Sequence, residues 1–378
     1  FKQKTAYEIM PSLVGSEMCI RDRNLVEVKI MDETLNLKKE HTLPNDQDFA
    51  CLIGRAWVHG NPDGPSPVWI DNEKVYDLAE TVEWHTTRPL TDDETINLIK
   101  DADAVINIRG SVQFNENVLS SCPNLKLISV WGTGVNHVDL GFAESQGVWV
   151  SNTPAYGAPY VAEQALALGL SVGRQIVSNH NRVVGGGWTA GYVNEFYNKT
   201  LGVIGTGAIG QRMIELGKAL GMNVIAWTFN PSAERASQYG ISFVEFDDLI
   251  KDSDVISLHI PATSESINLI DEREFKLMKN TCIIINTARG DIINEAALIS
   301  ALRNNTILGA GLDVFPQEPM PENHPLTTLT NVVISPHVGG MAEAATMKGL
   351  EMTIDNLESF AKGNPLYVVA KGSDHHLS

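Results

Sequence analysis

The chain has 378 residues, which suits two domains of about 100 to 200 residues each. Its 43% apolar and 20% charged residues are globular values, and no apolar run approaches the roughly 18 to 20 residues of a membrane span. With 28 Lys and Arg against 46 Asp and Glu, the formal charge of -18 argues against nucleic acid and anionic membranes as partners. No metal site is predicted, and a cytoplasmic location is favoured, because the cysteines are scattered: Cys19, Cys51, Cys122 and Cys282.

The first 23 residues have the pattern of a translated sequencing adapter. Residues 2–9, KQKTAYEI, back-translate into a flow-cell primer, and residues 13–23, LVGSEMCIRDR, into the end of a transposase-type library adapter. A targeting peptide is the alternative, but acidic residues interrupt what should be a basic and then apolar stretch. We therefore leave residues 1–23 out of the fold prediction.

Residues 24–81 differ in style from the rest of the chain. Within residues 43–79, short strand-like runs alternate with Gly/Pro turns, as in GRAWV, GPSPVWI and KVYDL. These runs resemble the N-terminal segment of fumarylacetoacetate hydrolase family proteins, so one hypothesis is a misjoined segment. The other is that residues 50–58 supply the first strand of the following domain. We assign no activity to this part of the chain.

A regular α/β pattern begins at Val82. A helix is predicted over residues 90–102, strands over 104–109, 125–131 and 147–152, and a long apolar helix from about 160 to 177. Such alternation predicts a parallel sheet with helices on its faces.

A second α/β series begins at Leu201 and contains seven strand candidates, which suffice for a complete doubly wound domain. They are LGVIG, NVIAWT, SFVE, VISLHI, CIIINT, ILGAGLDV and VVIS. A final helix over residues 342–361 lies beyond that domain, so we expect the chain to return to the first domain and make it discontinuous.

The run LGVIGTGAIG places three glycines between a strand and the start of a helix. Gly205 permits a tight turn, Gly207 lets the backbone approach a pyrophosphate, and Gly210 allows close helix packing. The following helix N-terminus favours a phosphate charge. This context predicts that the chain binds a nicotinamide dinucleotide.

The end of the second strand leaves the choice between NAD and NADP open. An acidic residue commonly holds the adenosine ribose there, but this chain has Thr228. Thr228 or Asn230 can bond the ribose hydroxyls, and Arg235 is the nearby cation that can meet a 2′-phosphate. The absence of Arg or Lys directly after the strand favours NAD, with NADP as the alternative.

Three motifs directly follow predicted strands, at the position where open α/β sheets bind ligands. They are NTARG with Arg289, LDVFPQEP with Asp313 and Glu318, and SPHVGG with His337. Their side chains can exchange protons or bind a carboxylate. Histidine has a pKa suited to proton exchange, a carboxylate beside it fixes its orientation, and Arg grips a carboxylate with two hydrogen bonds. Arg289, Glu318 and His337 therefore form a candidate catalytic set for hydride transfer coupled to proton transfer.

Seven motifs between residues 82 and 365 resemble the D-isomer-specific 2-hydroxyacid dehydrogenase family. They are GTGVNHVDL, VAEQALAL, LGVIGTGAIG, SLHIPAT, INTARGDIINEAAL, GAGLDVFPQEP and SPHVGG. The resemblance implies two Rossmann-like domains, with a doubly wound NAD(P)-binding domain over residues 152–337. That domain would be inserted in a discontinuous flavodoxin-like catalytic domain over residues 82–151 and 338–370.

The resemblance also assigns site residues. Arg289, Glu318 and His337 take the substrate-binding and proton-relay positions, and backbone amides near Gly110, Ser111, Thr133 and Gly134 would hold the substrate carboxylate. Residues 176–199 are similar to the family's dimerisation region, which implies a homodimer. The implied cofactor contacts are Gly205, Gly207, Ala208, Ile209, Gly210, Thr228, Asn230, His259, Pro261, Thr287, Ala288, Asp313 and Gly339.

Several assignments have a simpler structural alternative. His259 either lines the cofactor site or packs in the fold, and His137 is interpreted as structural. Glu163 is either a buried carboxylate behind the site or a residue near the helix start.

The sequence supports a dehydrogenase that interconverts a D-2-hydroxy acid and a 2-keto acid with NAD(P). The alternatives are a non-catalytic, nicotinamide-sensing protein of the corepressor kind, and an inactive chimera. The inactive chimera is an alternative because the family's first strand and helix are not recognisable before Val82. The departure at Thr228 bears on the choice of cofactor instead.

Overall fold

The computed structural model describes residues 91–108, 110, 112–189 and 191–377, together with the backbone of 20–22, 25–31 and 37–44. The description does not include residues 45–79, and therefore leaves out residues 50–58 and nearly all of the segment 43–79. It does not include Ser111 either. The chain divides into two compact units. The first comprises Phe1–Val130, Val135–Ser151 and Leu357–Ser378, and the second Trp131–Gly134 and Asn152–Asn356.

The described elements follow each other in an α/β order. The strands are β1 (Ile20–Asp22), β2 (Leu25–Met31), β3 (Leu37–Pro44), β4 (Ala104–Ile108), β5 (Leu127–Trp131), β6 (Trp149–Ser151), β7 (Thr200–Ile204), β8 (Asn223–Trp227), β9 (Ser242–Phe243), β10 (Val255–Leu258), β11 (Ile283–Asn286), β12 (Gly309–Leu312), β13 (Val332–Ile334) and β14 (Val368–Ala370). The helices are α1 (Asp92–Ile99), α2 (Glu116–Ser120), α3 (Leu140–Ser145), α4 (Ala158–Gly173), α5 (Ile176–Val184), α6 (Ala208–Ala219), α7 (Ala233–Tyr239), α8 (Phe246–Asp252), α9 (Glu272–Leu277), α10 (Glu295–Arg303) and α11 (Glu343–Ala361). Short 3-10 turns cover Gly290–Ile292, Pro325–Thr328 and Asp374–Leu377.

The second unit contains a seven-stranded sheet in the order β13-β12-β11-β10-β7-β8-β9. All of its neighbouring strands are parallel. The strand order reverses direction between β7 and β10, which makes the sheet doubly wound and creates a topological switch point beside β7. The predicted α/β fold class with a Rossmann unit is confirmed, and each of its seven predicted strands is present.

The central strands of this sheet, β7, β10, β11 and β12, are buried. All four residues of β10 and of β11 are buried, as expected for parallel strands with both faces covered. Helix α4 approaches very closely: a Cβ atom on Gly169 would lie 2.6 Å from Ile285 Cδ1, and one on Gly173 would lie 2.5 Å from Phe196 Cε2. These two glycines therefore allow α4 to pack closely against β11 and Phe196.

The long helix predicted from about 160 to 177 is two helices, and this prediction was wrong in its C-terminal part. Gln175 has a left-handed backbone with φ of 54°, and this residue separates α4 from α5. The apolar pattern continues through the break, so periodicity alone could not reveal it. No helix among the described residues has the length and apolar character needed to cross a membrane.

Among the described residues, the first unit contains a four-stranded sheet in the order β14-β6-β5-β4. Strand β14 is antiparallel to β6, with Val368 opposite Ser151, so the end of the chain returns to this sheet. The backbone of β1, β2 and β3 forms a separate antiparallel sheet in the same unit.

The boundary between the units on the C-terminal side lies after Asn356, whereas the sequence placed the return at residue 338. The first turns of α11 pack within the second unit. Ala345 is fully buried, and a Cβ atom on Gly349 would lie 2.1 Å from Trp131 Nε1. A helix that spans a unit boundary carries no sequence signal at the point of crossing.

Candidate active site

The glycine-rich loop after β7 has the geometry of a dinucleotide cradle. Gly205 has φ of +95°, and a Cβ atom there would lie 2.5 Å from the carbonyl oxygen of His259. A Cβ atom on Gly210 would lie 1.9 Å from the carbonyl oxygen of Gly205. Gly205 therefore fits only without a side chain, and Gly210 lets α6 begin directly against the loop.

Gly207 is different because its missing side chain faces open space. A Cβ atom there would meet nothing within 4 Å, and Gly207 is the N-cap of α6 with no side-chain cap. Gly207 and Ala208 are exposed and Ile209 is partly exposed, so the first amides of α6 are presented on the surface. These residues fit a pyrophosphate, which accepts backbone amides and is favoured by the positive end of the helix dipole.

The residues that follow β10 and β11 carry two unsatisfied polar atoms. His259 Nε2 contacts Ser257 Oγ at 2.8 Å, while His259 Nδ1 and Thr287 Oγ1 are buried with no hydrogen-bond partner within the described residues. Burial lowers the pKa of His259 to about 3, so its imidazole is neutral. Pro261 is exposed, and the amide of the buried Ala288 donates to Asn286 Oδ1 at 3.0 Å.

The end of β8 carries the ribose-side residues. Thr228 directly follows the strand and is partly buried, and Asn230 is exposed. Arg235, on α7, donates one hydrogen bond to the carbonyl oxygen of Asn230 and another to Thr206 Oγ1 at 3.2 Å. Arg235 therefore bridges the loops that follow β7 and β8.

His337 and Glu318 are in direct contact, as the sequence proposed for them. His337 Nδ1 lies 2.7 Å from Glu318 Oε2, and the other carboxylate oxygen, Oε1, accepts the amide of Phe315 at 3.0 Å. Both carboxylate oxygens are thus engaged, which fixes the plane of the carboxylate. Burial raises the pKa of Glu318, but the hydrogen bond and charge of His337, the Phe315 amide and the charge of Arg289 outweigh it, so the net pKa is lowered.

Arg289 lies just past the end of β11, on the carboxyl edge of the sheet. Its Nη1 donates to the carbonyl oxygen of Ala288 at 2.7 Å, and its own carbonyl oxygen accepts Asn286 Nδ2 at 2.8 Å. Burial lowers the pKa of the guanidinium, and the charge of Glu318 acts in the opposite direction. The side chain is thereby held within electrostatic range of the His337–Glu318 pair.

Asp313 organises the segment that carries His337. Its Oδ1 accepts Ser335 Oγ and the Val338 amide, the latter at 3.0 Å, and its Oδ2 accepts the Gly339 amide at 2.8 Å. Gln164 Nε2 in turn donates to Ser335 Oγ at 2.9 Å. Asp313 is 1% exposed, so these hydrogen bonds are buried.

Sequence reasoning missed Ser335 and Gln164. Gln164 is a polar residue on the mainly apolar helix α4, which was a usable signal. Its neighbour Glu163 is exposed, which excludes a buried role for that carboxylate. Ser335 stands two residues before His337, which was a second signal.

The proposed carboxylate-binding residues are described in part. In the second unit, Thr133 Oγ1 donates to the carbonyl oxygen of Thr153 at 3.2 Å, and Gly134 follows in the same loop. In the first unit, Gly110 has φ of +69°, and a Cβ atom there would lie 3.0 Å from His137 Nδ1. His137 thus packs against the turn at Gly110.

Comparison with known proteins decides the family. A family model for the NAD-binding domain of D-isomer specific 2-hydroxyacid dehydrogenases matches residues 166–339. Over 299 residues the chain is 34% identical to a glyoxylate reductase of Aeropyrum pernix, covering 77% of this chain and 88% of that protein. The chain belongs to the D-isomer-specific 2-hydroxyacid dehydrogenase family.

Two solved structures show the same architecture as this dehydrogenase. One is a D-lactate dehydrogenase from Aquifex aeolicus complexed with NAD and lactic acid, with a TM-score of 0.68, 31% identity and coverage of 74% of this chain and 90% of that one. The other is the acyclic imino acid reductase Bsp5 in complex with NADPH and D-Arg, with a TM-score of 0.72, 29% identity and coverage of 80% and 97%.

These relationships identify the general reaction. The dehydrogenase is an NAD(P)-dependent oxidoreductase that interconverts 2-hydroxy acids and 2-keto acids, and its substrates are small acids of this class. The glycine-rich loop and the uncapped start of α6 are the features of this chain that fit the cofactor.

Proposed function

We propose that His337 is the acid and base of a D-2-hydroxyacid dehydrogenase. The observation that carries this proposal is the 2.7 Å contact between His337 Nδ1 and Glu318 Oε2. Because Nδ1 faces the carboxylate, Nε2 is the atom that exchanges a proton with the substrate oxygen. Glu318 orients the ring and stabilises the imidazolium that forms when a hydroxy acid is oxidised.

Arg289 binds the substrate carboxylate and polarises the adjacent carbonyl. Its position past β11, within electrostatic range of Glu318, supports this role, because a guanidinium can form two parallel hydrogen bonds to a carboxylate. The family resemblance assigns backbone amides near Gly110, Ser111, Thr133 and Gly134 to the same carboxylate. The first compact unit then acts as the catalytic domain and the second as the NAD(P)-binding domain.

The cofactor, when bound, supplies the hydride that reduces the keto acid. Gly205, Gly207 and Gly210 and the first amides of α6 hold its pyrophosphate. Thr228 and Asn230 bind the adenosine ribose. The remaining contacts are Ala208, Ile209, His259, Pro261, Thr287, Ala288, Asp313 and Gly339.

Oxidation of NADH and NADPH by the full chain tests this function. The substrates are glyoxylate, hydroxypyruvate, pyruvate and 2-ketoisocaproate. We expect turnover with at least one acid, a fall in kcat of about 100- to 10,000-fold in His337→Ala, and unchanged kcat in the exposed control His375→Ala. Tight nucleotide binding without turnover of any acid would favour a sensing protein instead.

Substrate affinity tests the role of Arg289 separately. Arg289→Lys keeps the charge but loses the planar fork, so we expect KM for the keto acid to rise more than about 10-fold. Arg303→Lys, on the exposed end of α10, is the matched control and should leave KM unchanged. An equal KM in both variants would remove Arg289 from the carboxylate site.

We also propose that the protein is a homodimer in the cytoplasm. Helix α5 has no buried residue, and the segment after it exposes large apolar side chains: Val184 is 74% exposed and Trp188 88% exposed. A second copy of this chain is the occupant that the resemblance of residues 176–199 to the family's dimerisation region supports. The cytoplasmic location rests on the scattered cysteines, of which Cys122 and Cys282 are unpaired and buried.

A further inference from the structure

A cation lies at the ribose end of the nucleotide site. It comes from helix α7 and not from the residues that directly follow strand β8. In Rossmann units the adenosine ribose lies at the end of the second strand, where a carboxylate commonly binds its 2′-hydroxyl. Here Thr228 takes that position at the end of β8. A carboxylate would repel a phosphate on the ribose, whereas a threonine hydroxyl can donate to one.

Arg235 reaches this place from the third residue of α7. Its guanidinium donates to the carbonyl oxygen of Asn230 and to Thr206 Oγ1 at 3.2 Å. Thr206 stands between the first two glycines of the cradle, so the guanidinium extends across the carboxyl ends of β7 and β8. The two contacts fix the side chain at the edge where the ribose is expected.

The charge of Arg235 is not neutralised by its neighbours. Both of its acceptors are uncharged oxygens, and no carboxylate among the described residues forms an ion pair with it. The residue is partly exposed, and a guanidinium has five N–H donors, so donors remain beyond these two bonds. An arginine that is positioned by neutral groups and retains donors is suited to bind a phosphate.

We infer that Arg235, with Thr228 and Asn230, binds the 2′-phosphate of the cofactor, so that the protein prefers NADP(H) to NAD(H). This inference rests on the proposed dehydrogenase function and names the form of its cofactor. The sequence favoured NAD because no cation directly follows β8. The fold brings one to the same place from residue 235.

Nucleotide binding, measured calorimetrically without substrate, tests the inference on the full chain. We titrate NADPH, NADH, 2′,5′-ADP and 5′-ADP. The wild type should bind each 2′-phosphorylated nucleotide at least about 10-fold more tightly than its partner without that phosphate. If NADPH bound no more tightly than NADH, the inference would be overturned and the dehydrogenase function would stand. If none of the four nucleotides bound, both would be overturned.

Substitution of Arg235 separates phosphate binding from a merely structural bridge. Arg235→Ala should weaken NADPH and 2′,5′-ADP by about 10- to 100-fold and NADH by less than about 3-fold, and Arg235→Lys should retain part of the preference. Lys276→Ala is the charge control, since Lys276 is exposed and paired with Glu272 on α9. If Arg235→Ala weakened NADH and NADPH equally, Arg235 would only hold the two loops together and the inference would fail.

Discussion

Asp313 Oδ2 accepts the backbone amide of Gly339 at 2.8 Å, across a separation of 26 residues. The same carboxylate accepts the Val338 amide and the Ser335 hydroxyl, so it holds both sides of the turn at His337. That turn needs support because His337 has φ of 55°, a left-handed conformation that non-glycine residues rarely adopt. Asp313 therefore positions the proposed acid and base through the backbone.

Asp313→Asn should loosen this turn. An amide cannot accept all three donors, and its NH2 group would face a backbone N–H, which leaves buried donors unsatisfied at a cost of about 1 to 3 kcal/mol. We expect a lower free energy of unfolding and a fall in kcat of at least about 10-fold, measured by urea unfolding and steady-state kinetics. Asp248→Asn, on the exposed side of α8, is the control. Unchanged kcat in Asp313→Asn would show that the turn holds without the carboxylate.

Glu318→Gln should remove a part of the stability of the fold that depends on pH. The net pKa of Glu318 is lowered in the folded state, so its ionisation stabilises the fold above the ordinary value of 4.5 and this contribution is lost as the pH falls below it. Because the pair is partly exposed, the contribution is about 1 kcal/mol or less. Urea unfolding at pH 7 and pH 3.5 should show a smaller wild-type advantage at the lower pH. An advantage that grew on acidification would contradict the assignment.

Two glycines of the cradle should respond differently to substitution by alanine. Gly207→Ala adds a methyl group to open space, so the melting temperature without cofactor should stay the same while NADPH and NADH bind at least about 10-fold more weakly. Gly210→Ala would place Cβ 1.9 Å from Gly205 O and should lower the melting temperature by several degrees. Thermal melts and nucleotide titration measure both effects. Normal nucleotide affinity in Gly207→Ala would place the pyrophosphate elsewhere.

His259, whose ring nitrogen Nδ1 is buried, should make the fold sensitive to mild acid. Its pKa falls from an ordinary 6.5 to about 3, so the unfolded chain takes up a proton that the folded chain does not. Stability is therefore fully present above pH 6.5 and declines towards pH 3, by at most about 1.4 kcal/mol per pH unit from this residue. His259→Gln should flatten the wild-type decline between pH 7.5 and 4.5, whereas the exposed His375→Gln should not. Identical slopes in wild type and His259→Gln would refute this source of pH dependence.

Charges on the exposed apolar segment should dissociate the proposed dimer. Val184→Glu combined with Trp188→Glu places two carboxylates where a second copy would pack. Light scattering after gel filtration should show a dimer for the wild type and a monomer for the variant. Ile267→Glu is the control, because Ile267 is 53% exposed outside this segment. A monomeric wild type, or a variant that stays dimeric, would reject the interface.

The sequence predicted the parts of this protein that depend on local pattern. Apolar runs such as residues 282–287 identified buried strands, and the glycine spacing identified the loop after β7. Gln175 escaped prediction because a single left-handed residue leaves the apolar period almost unchanged. The contacts of Asp313 with Ser335, and of Ser335 with Gln164, escaped because side-chain hydrogen bonds between distant positions follow no period. Arg235 was recognised as a nearby cation, but its contact with Thr206 required the fold.

The pairing of β14 with β6 sets an order of events during protein synthesis. Val368 lies opposite Ser151, so the four-stranded sheet of the first unit stays incomplete until residues 368–370 have left the ribosome. All strands of the seven-stranded sheet are made earlier, between Thr200 and Ile334. The strands of the seven-stranded sheet are therefore all available on the nascent chain before β14 can pair with β6. Until then the edge of β6 lacks this partner, and an unpaired strand edge is a site at which aggregation and chaperone binding occur.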